Sequence, residues 1–187
     1  QEGKNYYAIP FPQTDGKIVF YDENGYGMKK AFLKAPLSFS RISSGFTEAR
    51  FHPVLRIVRP HHGVDYAAPT GTPVMAIGDG IVVRKGYSGG GGNTVMIEHN
   101  KTYKSSYMHL SRYANIQIGS HVKQGQLIGY VGSTGLASGP HLDFRIYKNG
   151  TAVNPLKVVS PPADPINSSR KAQFNHVRDS LIKILNG

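Results

Sequence analysis

The sequence predicts a mainly β chain with an N-terminal hairpin extension and a C-terminal helix. Three observations lead there. Short β-prone runs recur between turn signals drawn from 22 glycines and 12 prolines. An Asn24-Gly25 pair sits between two such runs near the N-terminus. Apolar residues at helical spacing gather at the far C-terminal end.

Residues 1–36 read as a leader followed by the hairpin. In "KIVFYDENGYGMKKAFL" the Asn-Gly step supplies the backbone freedom a tight turn needs between paired strands. Residues 37–158 form the main domain. Its strands are expected at 73–77, 80–85, 94–99, 103–109, 126–131 and 141–147, with a flexible glycine loop, "GYSGGGGN", among them. A faint internal echo links "GTPVMAIGDG" (71–80) to "GSHVKQGQLIGYVG" (119–132) and suggests two similar β-units. Residues 159–187 hold a proline-rich connector, "SPPADPINS", and then the helix. Phe174, Val177, Leu181, Ile184 and Leu185 share one helical face, and Ser168 or Ser169 is the expected cap. The helix is expected to dock on the main domain; a partner-binding helix is the other reading.

Composition narrows the partners. A chain of 187 residues, 39% hydrophobic and 18% charged, fits one globular domain with a small appendage. Twenty-two basic residues against 11 acidic ones give a net charge of +11, which attracts polyanions such as nucleic acid, anionic lipid or an acidic wall polymer. The basic residues are scattered and form no nucleic-acid-binding motif, so no nucleic acid is expected. No run approaches the roughly 18 apolar residues of a membrane span, so no transmembrane segment is expected. The absence of cysteine excludes disulfides and thiolate-held metals.

Of the eight histidines, His52, His61, His62, His109 and His141 lie in the main domain next to prolines, glycines or strand ends. In "RPHHGVDYAAPTGTPV", His61 and Asp65 stand four apart with Gly63 between them to permit a sharp bend. Imidazole and carboxylate are ordinary Zn²⁺ ligands. On spacing alone, a surface histidine near a turn aspartate is the simpler account. In "KSSYMHLSRY", strand alternation puts Tyr103, Ser105, Tyr107 and His109 on one face, with His109 at the strand end. In "GPHLDFRI", His141, Asp143, Arg145 and Tyr147 share one face while Leu142, Phe144 and Ile146 share the core face.

The order His-x-x-x-Asp, then Tyr-x-His-Leu, then Gly-Pro-His, resembles the lysostaphin/LytM-type zinc peptidoglycan endopeptidases. The likeness runs over roughly residues 38–156, through "FSRISSGF", "HHGVDYAAPTGTPVMAIGDGIV", "SSYMHLS", "VKQGQLIGYVGSTGLASGPHLDFRIY" and "NP" at 154–155. The resemblance implies an antiparallel β-barrel- or sandwich-like metallopeptidase domain with a narrow groove and one Zn²⁺ per chain. It implies metal ligands at His61, Asp65 and Asp143, and a water-activating, proton-handling pair at His109 and His141. Tyr107 is the candidate for steadying the oxyanion. The implied reaction is hydrolysis of peptide cross-links in peptidoglycan, in the periplasm or cell envelope. The chain opens with Gln1, and a signal peptide is expected to have been removed ahead of it.

Position 143 departs from the pattern, which has histidine there. Either Asp143 ligates the metal, lowering its net charge and shifting preference toward harder ions such as Mn²⁺, with Arg145 able to compete for it as a salt-bridge partner, or the site is degenerate. In the second case the domain would be a peptidoglycan-binding or hydrolase-activating module, with other cell-wall hydrolases as partners. A lipoyl-like barrel, suggested by "VKQGQLIG", lacks a lysine at the tip of a suitable hairpin.

Overall fold

The structure is a computed structural model that describes residues 7–38, 41–51 and 55–186; His52, and Phe39 and Ser40 of "FSRISSGF", lie outside the described residues. The chain divides into two compact units, one made of both chain ends (1–31 and 160–187) and one of residues 32–159.

The end unit starts with β1 (Ile9–Pro12), β2 (Ile18–Tyr21) and β3 (Tyr26–Lys30). The expected hairpin joins β2 to β3. Its turn is closed by Asp22, whose Oδ1 accepts from the Asn24 N–H (2.9 Å) and the Tyr26 N–H (2.8 Å). Gly25 takes φ +83°, a conformation that disfavours any side chain.

The second unit is the main sheet. In chain order its strands are β4 (Arg41–Ser44), β5 (Thr47–Phe51), β6 (Val58–His61), β7 (Val64–Ala67), β8 (Pro73–Met75), β9 (Gly80–Tyr87), β10 (Asn93–Glu98), β11 (Tyr103–Tyr113), β12 (His121–Val122), β13 (Leu127–Val131), β14 (His141–Lys148) and β15 (Thr151–Val153). Ten of them form one sheet, ordered β12-β9-β10-β11-β14-β7-β4. β13 bridges β11 and β8, β15 flanks β14, and β5 pairs β6 in a separate ribbon. Neighbours pair antiparallel, as expected, but among the described residues the path stays open at β12 and β4 and does not close into a barrel.

All six strands expected for this unit are present. Those the sequence did not reveal, β4 to β7 with β12 and β15, are two to five residues long and carry too little alternation to stand out. The two echoing segments pair with each other, β8 on β13 and β9 on β12. Leu142, Phe144 and Ile146 are buried as expected, in a core shared with Val64, Ile97, Tyr107 and Leu110.

The chain returns to the end unit through β16 (Pro162–Pro165) and α1 (Lys171–Asn186). The proline-rich connector is thus partly a strand. It lies at the sheet edge against β3, where a missing N–H is tolerated. The capping side chain is Asn167, one residue ahead of the expected serines; its Oδ1 accepts from the Ser169 N–H and caps the 3₁₀ turn that leads into α1.

α1 docks on β1 and β2 of its own unit, where the sequence pointed to the main domain. Phe174 meets Phe11 and Tyr21 edge-on, at centroid distances of 5.5 and 5.6 Å. Val177 and Leu181 pack on the same cluster, while Ile184 and Leu185 run on exposed. Phe174→Ala should destabilise the end unit by about 3–5 kcal/mol. Denaturation followed by helical circular dichroism checks it, and a loss below about 1 kcal/mol would contradict the packing described.

Candidate metal centre

Register places the candidate ligands. β14 lies between β11 and β7, and Asp143 pairs directly with Asp65 on one side and Met108 on the other. Directly paired residues point to the same face, so two carboxylates stand side by side on the groove face, both buried. His61 ends β6 and brings a third buried polar group to them. One atom from each of His61, Asp65 and Asp143 lies within 4.8 Å of the others. The face read from the sequence also holds, since His141, Asp143, Arg145 and Tyr147 all line a groove of about 530 Å³.

The expected bend falls at Gly63, between β6 and β7, and the glycine serves the packing as well. Its φ is not in the left-handed region, but a Cβ there would collide with Asp143 Oδ1 and press on Arg145 Cγ. Glycine is required because the Asp143 side chain lies against this backbone.

His109 breaks the predicted alternation. It adopts φ +61°, rare for a non-glycine residue, and so lines the groove beside its own neighbour Met108. Tyr107 keeps the alternation and faces the core with Phe144. It is fully buried, and its hydroxyl oxygen accepts from the Ile77 N–H (2.9 Å) and bonds Ser105 Oγ (2.9 Å). The structure therefore does not bring Tyr107 to the site, which corrects the oxyanion assignment.

Three imidazoles are oriented the same way. Nδ1 of His61 lies 2.9 Å from Gly45 O, that of His109 2.7 Å from Thr134 O, and that of His141 2.8 Å from Gly139 O. A carbonyl can only accept, so each Nδ1 carries the proton and each Nε2 is left for other work. The His109 and His141 rings lie 4.6 Å apart. Thr134 is itself pinned, its hydroxyl donating to Leu110 O and accepting from the Asn93 N–H.

Each carboxylate is backed by a guanidinium. Arg50 Nη1 contacts Asp65 Oδ2 at 2.8 Å, and Arg145 grips Asp143 through Nε–Oδ1 (3.1 Å) and Nη2–Oδ2 (2.7 Å). Sequence reasoning missed Arg50, Gly45 and Thr134, which reach the site only through tertiary folding. Arg59, which also lines the groove, was missed as well.

The residues fit a divalent cation. His61 Nε2 and Asp65 Oδ1 are buried, and although 3.0 Å apart they lack hydrogen-bond geometry, so both are orphaned. Asp143 Oδ2 lies 3.6 Å from the same nitrogen. An imidazole nitrogen and two carboxylate oxygens are a chemically sound Zn²⁺ donor set. Burial opposes charge on His61, yet Asp143 and Asp65 raise its pKa from 6.5 to about 9. Burial also opposes charge on the carboxylates, but His61 with Arg145 holds Asp143 well below the usual range, and His61 with Arg50 holds Asp65 down. Burial, with neighbouring His141, lowers the pKa of His109 and keeps it neutral near pH 7.

An antiparallel sheet that gathers one histidine and two carboxylates beside two further inward imidazoles defines a metallohydrolase-type site. The chain belongs to peptidase family M23, whose family model matches residues 59–155. It is 46% identical over 173 residues to the peptidoglycan DD-endopeptidase ShyC of Vibrio cholerae, spanning 92% of this chain and 39% of that protein. It is 43% identical over 171 residues to the DD-carboxypeptidase/endopeptidase Mpg of Neisseria meningitidis serogroup B, spanning 89% and 39%. The chain thus covers about two fifths of the length of these relatives. Among solved structures it resembles a zinc-containing peptidase from Vibrio cholerae, with a TM-score of 0.67 and 39% identity over 81% of this chain and 47% of that one. It also resembles the catalytic domain of lysostaphin from Staphylococcus simulans, with a TM-score of 0.56 and 37% identity over 63% and 90%.

Two predictions follow from the geometry. His61 has a folded pKa above its unfolded value, so its ion pairing stabilises the metal-free chain fully below about pH 6.5 and fades as pH rises through about 9. Metal binding at pH 7.5 should therefore release about one proton. Calorimetry in buffers of different ionisation enthalpy measures this, and release near zero would contradict it. Separately, Tyr107→Phe should cost about 1–3 kcal/mol of stability by stranding the Ile77 amide, and should leave zinc affinity unchanged.

Proposed function

We propose that this chain is the catalytic part of a zinc-dependent endopeptidase that hydrolyses peptide cross-links of bacterial peptidoglycan outside the cytoplasm. The observation that carries the reading is the convergence of His61, Asp65 and Asp143 with the Nε2 atoms of His109 and His141 on one groove. Membership of an M23 peptidase family supports peptide hydrolysis, and relatives named as peptidoglycan endopeptidases support the substrate. The net charge of +11 suits an anionic wall.

His61, Asp65 and Asp143 would hold the ion. When bound, a divalent zinc supplies Lewis acidity toward the scissile carbonyl and activates water at neutral pH. His109, neutral and donating from Nδ1 to Thr134 O, offers Nε2 as the base that takes a proton from the attacking water. Once protonated, it can return that proton to the leaving amine. His141, fixed through Gly139 O with Nε2 3.9 Å from Asp65 Oδ1, is the second group placed to handle a proton or hydrogen-bond the developing oxyanion. Both line the same groove.

A second reading is supported by one observation, the bidentate hold of Arg145 on Asp143. If that hold removes Asp143 from the metal, the domain binds peptidoglycan without cutting it and acts through other wall hydrolases.

Incubation with purified peptidoglycan separates the two. On the enzymatic reading, cross-linked peptides are cleaved, chelator abolishes cleavage and zinc restores it. Tight binding to the wall with no product from zinc-loaded protein would favour the second. His109→Ala should retain zinc and lower kcat by about 10²–10⁴-fold. His61→Ala and Asp143→Ala should both lose zinc affinity severely, and a zinc-competent Asp143→Ala would remove Asp143 from the ligand set.

A further inference from the structure

A buried Asp-Asp-His donor set should make a poorer Lewis-acid site than one with a single carboxylate, because two carboxylates cancel the charge of a divalent ion. The structure holds a feature that offsets this. Asp143 never stands alone as a charge, since Arg145, two residues along the same strand face, contacts both of its oxygens at 2.7 and 3.1 Å. The pair is largely withdrawn from water, so its charges are weakly screened. Gly63 clears the space for both partners, as a Cβ there would meet Asp143 Oδ1 and Arg145 Cγ together. A carboxylate oxygen has two lone pairs, so one can accept from a guanidinium while another faces a cation.

We propose that Asp143 and Arg145 act as a single, electrically neutral ligand unit, in which Asp143 supplies the oxygen donor and Arg145 cancels its charge, so that the pair replaces a neutral imidazole. The inference rests on the metallopeptidase reading of the site. Arg145 is a positioning residue in this scheme. It orients Asp143 through the two-pronged contact and sets the charge the cation meets. Asp65, paired at Oδ2 with Arg50 but open at Oδ1, remains the carboxylate that faces the cation with an orphaned oxygen.

The pairing predicts a reversal of sign. Replacing Asp143 by histidine installs a good zinc ligand but strands a buried guanidinium beside the cation, so Asp143→His alone should weaken zinc binding by about tenfold or more. Adding Arg145→Gln to that variant removes the stray charge and should recover most of the lost affinity. A merely structural Arg145 would make Arg145→Gln neutral or harmful in the histidine background.

The test is zinc affinity, measured by competition with a chromophoric chelator on the whole chain without substrate. The variants are wild type, His61→Ala, Asp143→Ala, Asp143→His and Asp143→His/Arg145→Gln, each checked for native melting. Recovery in the double variant is the expected result. An Asp143→His protein that binds zinc as tightly as wild type, or a double variant no better than the single one, overturns the ligand unit. So does an Asp143→Ala protein with wild-type affinity. Failure of the underlying reading looks different: wild type itself would not bind zinc, or His61→Ala would leave affinity intact.

Discussion

The site depends on one awkward register. Pairing β14 with β7 sets Asp143 opposite Asp65, two buried carboxylates on one face. Like charges in that arrangement repel, and burial deprives them of water. The surrounding structure answers with cations at every approach: Arg50 on Asp65, Arg145 on Asp143, and His61 near both. Arg145 meets both oxygens of its carboxylate, whereas Arg50 holds Asp65 through Nη1 alone and its buried Nε has no hydrogen-bond partner among the described residues. The imidazole is also unsatisfied, because its Nε2 faces Asp65 Oδ1 without hydrogen-bond geometry. On the proposed reading, a cation among His61, Asp65 and Asp143 would relieve that mismatch, and burial notwithstanding, the two carboxylates raise the pKa of His61 to about 9, so a proton there can serve the same end.

The second constraint is orientation. Imidazoles are useful here only if the correct nitrogen faces the groove. Three separate carbonyls, from Gly45, Thr134 and Gly139, fix Nδ1 as the donor on His61, His109 and His141. For His109 the chain accepts an unfavourable φ of +61°, a local cost concentrated where chemistry is expected.

Much of this was legible in the sequence because it is local. Alternation along "GPHLDFRI" gave the groove face of β14 and its core face together. The i,i+4 spacing of His61 and Asp65 survived as a direct 3.0 Å contact. What failed was alternation through His109, since a single positive φ moves a side chain to the opposite face and sequence carries no sign of it. Tyr107 was drawn toward the site by the same rule and belongs instead to the core, bonded to Ile77. Arg50 was out of reach for another reason. It lies on a short polar strand and meets Asp65 across 15 positions of chain, a contact that only tertiary folding creates. The helix was legible as a helix, but its partner was not, because amphipathicity names a buried face without naming what covers it.

The central claim is that one cation is shared by His61, Asp65 and Asp143. An anomalous difference map from crystals of the zinc-loaded chain, collected on both sides of the zinc absorption edge, tests it most directly. The account predicts one strong peak per chain, bonded to His61 Nε2, Asp65 Oδ1 and an Asp143 oxygen, with Arg145 still paired to Asp143. A peak bonded only to His61 and Asp65 with Asp143 held solely by Arg145, or no peak in the groove, would contradict it.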